Sequence, residues 1–226
     1  MSYNEQTFLA AIQNSYIKYK EHGARSTEKL KPLHLFVADT LRQIWGSKAE
    51  INYMGNGVKE LAVQGKFYPK KIDIAVSIDK KTVFCLGVKF VTSNYKQNAN
   101  NYFEGMMGET ANIQSNNIPY AHLIILRYQT PYYKKNNSET PHKTEIITKK
   151  DLQKYLNLMS DANQVHSPQM LGIKLVDIDE KTQRVNSTDV SSHFGKDFAQ
   201  ELENVCSVAK MFTLIENYKA SLPTTP

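Results

Sequence analysis

The run Tyr120 to Tyr128, YAHLIILRY, constrains the fold of this chain more than any other stretch. It is apolar almost throughout and of strand length, the pattern of a central strand buried on both sides. A doubly buried strand needs cover on each face, and the flanking sequence offers helices. Phe8, Leu9, Ile12, Tyr16 and Ile17 recur at helical spacing before Gly23. A second helix is expected from Ser26 or Thr27 to Gly46, carrying Leu30, Leu33, Phe36, Val37, Leu41, Ile44 and Trp45, with Pro32 in its tolerant first turns. Further helices are expected over 95–114, after the N-cap candidates Ser93 and Asn94, and from Thr148, where Asp151 stands at capping-box spacing. A long helix is expected over about 194–218. Strands are expected over 71–78 and 82–91, joined by Asp79-Lys80-Lys81, and over 145–147 and 171–178. No repeat or linker divides the 226 residues. The expectation is one α/β domain over 1–226, a central mixed sheet flanked by helices, with N-terminal helices at 5–46 and a core at about 58–130.

Composition narrows the function classes. Hydrophobic residues at 41% and charged residues at 22% are ordinary for a globular chain and exclude general disorder. The net charge of +6 favours a polyanionic partner. Cys85 and Cys206 are isolated, which excludes a zinc site built on paired cysteines, and each reads as a small core residue. The six histidines show no metal-binding spacing. Gly55, Gly57 and Gly65 mark turns, and no Gly-Lys-Ser/Thr follows them as a phosphate-cradling loop requires. With no signal peptide and no apolar run of membrane-spanning length, a cytoplasmic protein without a membrane partner is expected.

Two charged residues interrupt the apolar strands. Asp73 stands among Ile72, Ile74, Val76 and Ile78, and Lys89 lies inside VFCLGVKFV. Charges in core strands must be paired or bind a metal. Phosphodiester cleavage calls for such a set: carboxylates to hold a metal, an activated water, and positive charge near the developing phosphorane. Strand alternation puts Gly87 and Lys89 on one face, which the neighbouring strand can share with Asp73.

Asp73, thirteen residues, then Gly87-Val88-Lys89 resembles the PD-(D/E)XK nuclease core shared by many type II restriction endonucleases, over roughly Pro69 to Tyr128. The resemblance implies that Asp73 binds Mg²⁺, with the backbone at Gly87 and Val88 beside it, and that Lys89 positions or deprotonates the attacking water. Two departures stand out. Ile72 replaces the motif's proline, and Gly87 stands where a second acid belongs. Some restriction endonucleases take that acid from the following helix, which here carries Glu104 and Glu109, with Glu104 at the closer spacing. The two are about 140° apart around a helix and do not share one site. Glu60 is an alternative upstream acid.

Double-stranded DNA is the expected partner, contacted by Asn94, Lys96, Gln97, Asn98 and Asn101 at the helix start and by Tyr132, Tyr133, Lys134 and Lys135 in the loop after the central strand. The expected enzyme is a homodimer cutting a palindromic site with no cofactor beyond Mg²⁺. The alternatives are a repair or junction nuclease of the same fold, a DNA-binding protein whose core has decayed at Gly87, and a basic interaction domain.

Overall fold

The computed structural model describes residues 3–55, 60–134, 140–161 and 163–223. In chain order these form α1 (Glu5–His22), a 3-10 turn (Thr27–Leu30), α2 (Lys31–Trp45), β1 (Glu50–Tyr53), β2 (Leu61–Gln64), β3 (Pro69–Ile72), β4 (Ile74–Ile78) and β5 (Lys81–Val91). There follow α3 (Tyr95–Gln114), β6 (Tyr120–Arg127), β7 (Gln129–Tyr132), β8 (Lys143–Ile146), α4 (Lys149–Ser160), β9 (Met170–Ile178), β10 (Val185–Ser187), α5 (Val190–Phe194), α6 (Lys196–Cys206) and α7 (Val208–Ser221).

Every residue of β6 is buried, as its sequence requires. It lies inside a curled, mixed, six-stranded sheet of order β1-β4-β5-β6-β9-β10. The β5-β6-β9 ladders are parallel and the outer pairs antiparallel. The parallel pairs need crossovers, which α3 supplies between β5 and β6, and the segment containing α4 between β6 and β9. Alternation along β6 then divides two cores. Ala121, Leu123 and Ile125 pack with residues of α1, α2 and α7. Ile124 and Leu126 face the other way, toward Tyr95 and Met106 of α3, Leu152 and Tyr155 of α4, and Phe198 of α6. A smaller cluster (Val63, Ile72, Ala75, Cys85, Ile113, Tyr120) lies where the β2–β3 ribbon joins the sheet.

The expected strand over 71–78 is two strands. β3 pairs with β2 in a separate ribbon, β4 pairs with β1 and β5, and Asp73 is the bend between them. The β4–β5 turn is the two residues Asp79 and Lys80, both with positive φ, the backbone of a tight hairpin. The expected helix over 194–218 is three, interrupted at Gly195, whose φ is 89°, and at Ser207, whose hydroxyl caps α7 by accepting from the Lys210 N–H. β1, β2 and β10 are short or polar enough that no clear alternation marks them. Cys85 and Cys206 are buried and free. Among the described residues no helix is long and apolar enough to cross a membrane.

Candidate active site

The site forms where two strands part. The β4–β5 ladder ends at Ile74 opposite Leu86, because the chain preceding Ile74 turns at Asp73 into the β2–β3 ribbon. Asp73 meets the freed edge of β5, and the Val88 N–H donates to its Oδ2 at 2.7 Å. Burial pushes the Asp73 carboxyl up to about 7. The charges of Glu109 and Glu60 push the same way, against the Val88 N–H and Lys70. An acid so placed is stabilised by an added cation.

A cavity of about 330 Å³ opens beside it, lined by Asp73, Val88, Lys89, Tyr102, Glu109 and His122 among others. Lys89 reaches this cavity from β5 and lies 4.6 Å from the centroid of the Tyr102 ring. Its side chain is exposed, whereas Val88 and Phe90 turn into the core. The expectation of a lysine buried in the sheet is therefore corrected: Lys89 stands on the strand face that the cavity keeps open to water.

The acid from the helix is placed by packing. Met106, Thr110 and Ile113 are the buried face of α3, and Glu109 stands beside that stripe, three residues after Met106 and four before Ile113. Its Oε1 accepts from the Tyr120 hydroxyl at 2.5 Å, and its Oε2 lies 2.8 Å from the Lys70 ammonium. Glu104 is exposed, does not line the cavity, and acts electrostatically on Lys154 of α4. Glu109, and not the expected Glu104, is the helix acid that lines the cavity, a difference set by the phase of the helix, which the spacing after Lys89 does not reveal. Glu60 does not line the cavity but is near enough for its charge to raise the Asp73 carboxyl.

Gly87 has a steric reason. A Cβ there would overlap the Tyr120 hydroxyl and come within 2.7 Å of His122 Nδ1. Parallel pairing sets Gly87 opposite His122 and Cys85 opposite Tyr120, so both side chains of β6 rise on the face that Gly87 leaves bare. Tyr120, in the space that the motif's second acid would need, donates to the carboxylate arriving from the helix. Burial, with a smaller contribution from Lys89, holds His122 down to about 4 against the pull of Glu109, so the imidazole is neutral at pH 7. Tyr120, His122 and Lys70 were not singled out as site residues from sequence. The alternation of Tyr120 and His122 in an otherwise apolar strand was the available signal. For Lys29, burial and the neighbouring Lys89 lower the ammonium pKa.

The expected DNA-contacting residues divide. Asn101 lines the cavity, and Gln97 and Lys134 are exposed. Asn94 does not cap α3 with its side chain. It adopts a left-handed conformation, its N–H donates to the Tyr132 hydroxyl at 2.7 Å, and its Oδ1 accepts from that hydroxyl at 3.2 Å. The Tyr95 N–H donates to Glu145 Oε1 at 2.8 Å, so a carboxylate already holds the end of α3 that was expected to meet phosphate. Asn98 donates its amide to the Asn94 carbonyl, and Lys96 is paired with Asp151. Tyr133 is partly exposed. Lys135, like Gly57, lies outside the described residues.

Asp73 and Glu109 suit a hard cation that takes one or two carboxylates and completes its shell with water. Among the described residues no group of three or more His, Cys, Asp or Glu gathers that could hold a metal ion, so water and phosphate oxygens would have to complete the shell. No family model matches the chain, and no curated protein or solved structure is significantly similar to it.

Proposed function

We propose that this protein is a Mg²⁺-dependent double-strand DNA endonuclease with a PD-(D/E)XK-type core, acting as a homodimer on a palindromic site. The observation that carries the reading is the convergence of Asp73, Glu109 and Lys89 on one open cavity, reached from a bend, a helix and a strand. Asp73 and Glu109 would hold the Mg²⁺, which supplies Lewis-acid charge at the scissile phosphate and a more acidic water. Lys89 brings an exposed ammonium to the cavity, suited to orienting the attacking water and offsetting charge on the phosphorane. Tyr120 fixes the Glu109 carboxylate, and Lys29 and Lys70 add positive charge at the cavity for the DNA backbone.

Gly87 supports an active core over a decayed one, because Tyr120 and His122 occupy the space it leaves and the Tyr120 hydroxyl donates to Glu109. Incubation with plasmid and Mg²⁺ should give discrete fragments. Structure-selective nicking would instead indicate a junction enzyme, and DNA binding without cleavage a binding protein. Lys89→Ala and Glu109→Ala should each lower cleavage by about 10³-fold, while Glu104→Ala leaves it within twofold or so of wild type. Cleavage unaffected by Lys89→Ala would remove the site assignment.

A further inference from the structure

The β2–β3 ribbon carries an exposure that packing does not explain. Phe67 at its tip is 75% exposed and Tyr68 is 50% exposed, more than any other phenylalanine, tyrosine or tryptophan among the described residues. The loop that presents them is held rigidly. Asn112 of α3, itself buried, accepts from the Phe67 N–H at 3.0 Å and the Tyr68 N–H at 3.4 Å, and donates to the Tyr68 carbonyl at 3.0 Å. The Lys66 N–H donates to the Asn112 carbonyl at 2.8 Å, and Asn116 donates to the Gln64 carbonyl at 2.7 Å. Gly65 fits only as glycine, since a Cβ would overlap the Asn112 amide. Two asparagines and a glycine thus fix a backbone whose outward product is two aromatic rings in water.

The charge around those rings identifies what they meet. From Leu61 to Ile72 the ribbon contains no acidic residue and three lysines, Lys66, Lys70 and Lys71. A second copy of the same ribbon would set lysines against lysines, which disfavours self-association there. The ribbon is also continuous with the candidate active site, because β3 runs directly into Asp73 and Lys70 is paired with Glu109. The six residue steps from Phe67 to Asp73 span at most about 20 Å, within the reach of one DNA duplex lying over the cavity.

We infer that the β2–β3 tip is a nucleic-acid wedge, in which Phe67 inserts at a base step of the bound duplex, Tyr68 packs beside it, and Lys66 and Lys71 hold the flanking phosphates. Rigid apolar wedges flanked by basic residues unstack base steps and bend the duplex, and preorganisation of the wedge lowers the cost of inserting it. The inference rests on the DNA-endonuclease reading and adds the element that deforms the substrate.

The test is binding without cleavage, in Ca²⁺, to a duplex carrying 2-aminopurine at successive steps of a cleaved site. Wild type should raise 2-aminopurine fluorescence at one step. Phe67→Ala should abolish that rise and weaken binding by roughly 5- to 150-fold, the range for loss of one base-stacking aromatic. Phe67→Trp should retain both, and Lys89→Ala should keep the fluorescence rise while losing cleavage. Phe67 is exposed, so its loss does not threaten folding, and circular dichroism of each variant checks this. Tight binding and unchanged fluorescence in Phe67→Ala would overturn the wedge and leave the nuclease reading standing. Failure of wild type to bind any duplex would overturn both. A Phe67→Ala variant that altered oligomeric state and left the fluorescence rise intact would make the tip a protein interface and overturn the wedge.

Discussion

Position 87 shows how one residue can be dictated by the strand beside it. The clash there is with the Tyr120 hydroxyl and the His122 ring, both on buried β6, so neither can move aside cheaply. It follows that restoring the motif's acid should harm the site. Gly87→Asp would displace Tyr120 and with it Glu109, and plasmid assays should show cleavage lowered by at least about 10²-fold together with a lower melting temperature. Tyr120→Phe removes only the hydroxyl that holds Glu109. It should raise the Mg²⁺ concentration for half-maximal cleavage by roughly tenfold, as expected for loss of a partner that orients a metal ligand. Asp73 gives a second residue-scale test, in the metal-free protein. Its carboxyl titrates near 7 in the fold against 3.8 ordinarily, so between those values the folded state binds the extra proton. Stability from this group is therefore present at acid pH and is lost as pH rises from about 4 through 7. Relative to wild type, Asp73→Asn should gain up to about 4 kcal/mol above pH 7, with the gap closing toward pH 4, in urea titrations with EDTA. Wild-type stability alone would hide the trend. His34 and His122 are each held down to about 4 by burial, so they lose stability in the opposite direction as pH falls below 6.5.

At the level of elements, legibility followed whether the signal was local. The expected bounds of α3 agree with its observed 95–114, and the capping box at Thr148 and Asp151 is present, because caps and apolar spacing lie within a few residues of each other. The choice between Glu104 and Glu109 required knowing which side of α3 meets the sheet. That side is set by Met106, Thr110 and Ile113, a stripe readable in the sequence but with Thr110 as its middle member and so weakly apolar. The break at Asp73 was hidden for a different reason. The chain is extended on both sides of the one-residue bend, and the change of pairing partner from β2 to β1 and β5 has no local sequence mark. The β4–β5 hairpin also contains a removable strain. Lys80 sits at φ 64°, where an L side chain is disfavoured. Lys80→Gly relieves it by about 1 kcal/mol, offset in part by the unfolded-chain entropy of glycine. Equilibrium denaturation should show a higher midpoint at unchanged slope, with no change in cleavage since the turn lies at the far end of β4 from Asp73.

For the whole molecule, the division into two cores leaves the candidate active site at one place where the sheet opens, beneath α3 and beside the β2–β3 ribbon. The doubly buried strand predicted this layering, because apolar residues on both faces of β6 require a cover on each side. The proposed endonuclease would also need a means of cutting the second DNA strand. Each chain offers one cavity with one Asp73, Glu109 and Lys89, a set suited to one phosphodiester at a time. In the proposed reading, two-fold pairing of chains would bring a second copy to the opposite strand of a symmetric site. The homodimer reading therefore predicts the products of a mixed population. If wild-type and Lys89→Ala chains are unfolded together and refolded one to one, about half the dimers contain one active cavity. These should nick supercoiled plasmid at the recognition site, so open circles accumulate in excess of those made by wild type alone. A protein that cuts both strands as a monomer would instead show a twofold dilution of activity, with the ratio of open circle to linear unchanged along the time course. Gel densitometry of that ratio, at matched extents of cleavage, decides between the two.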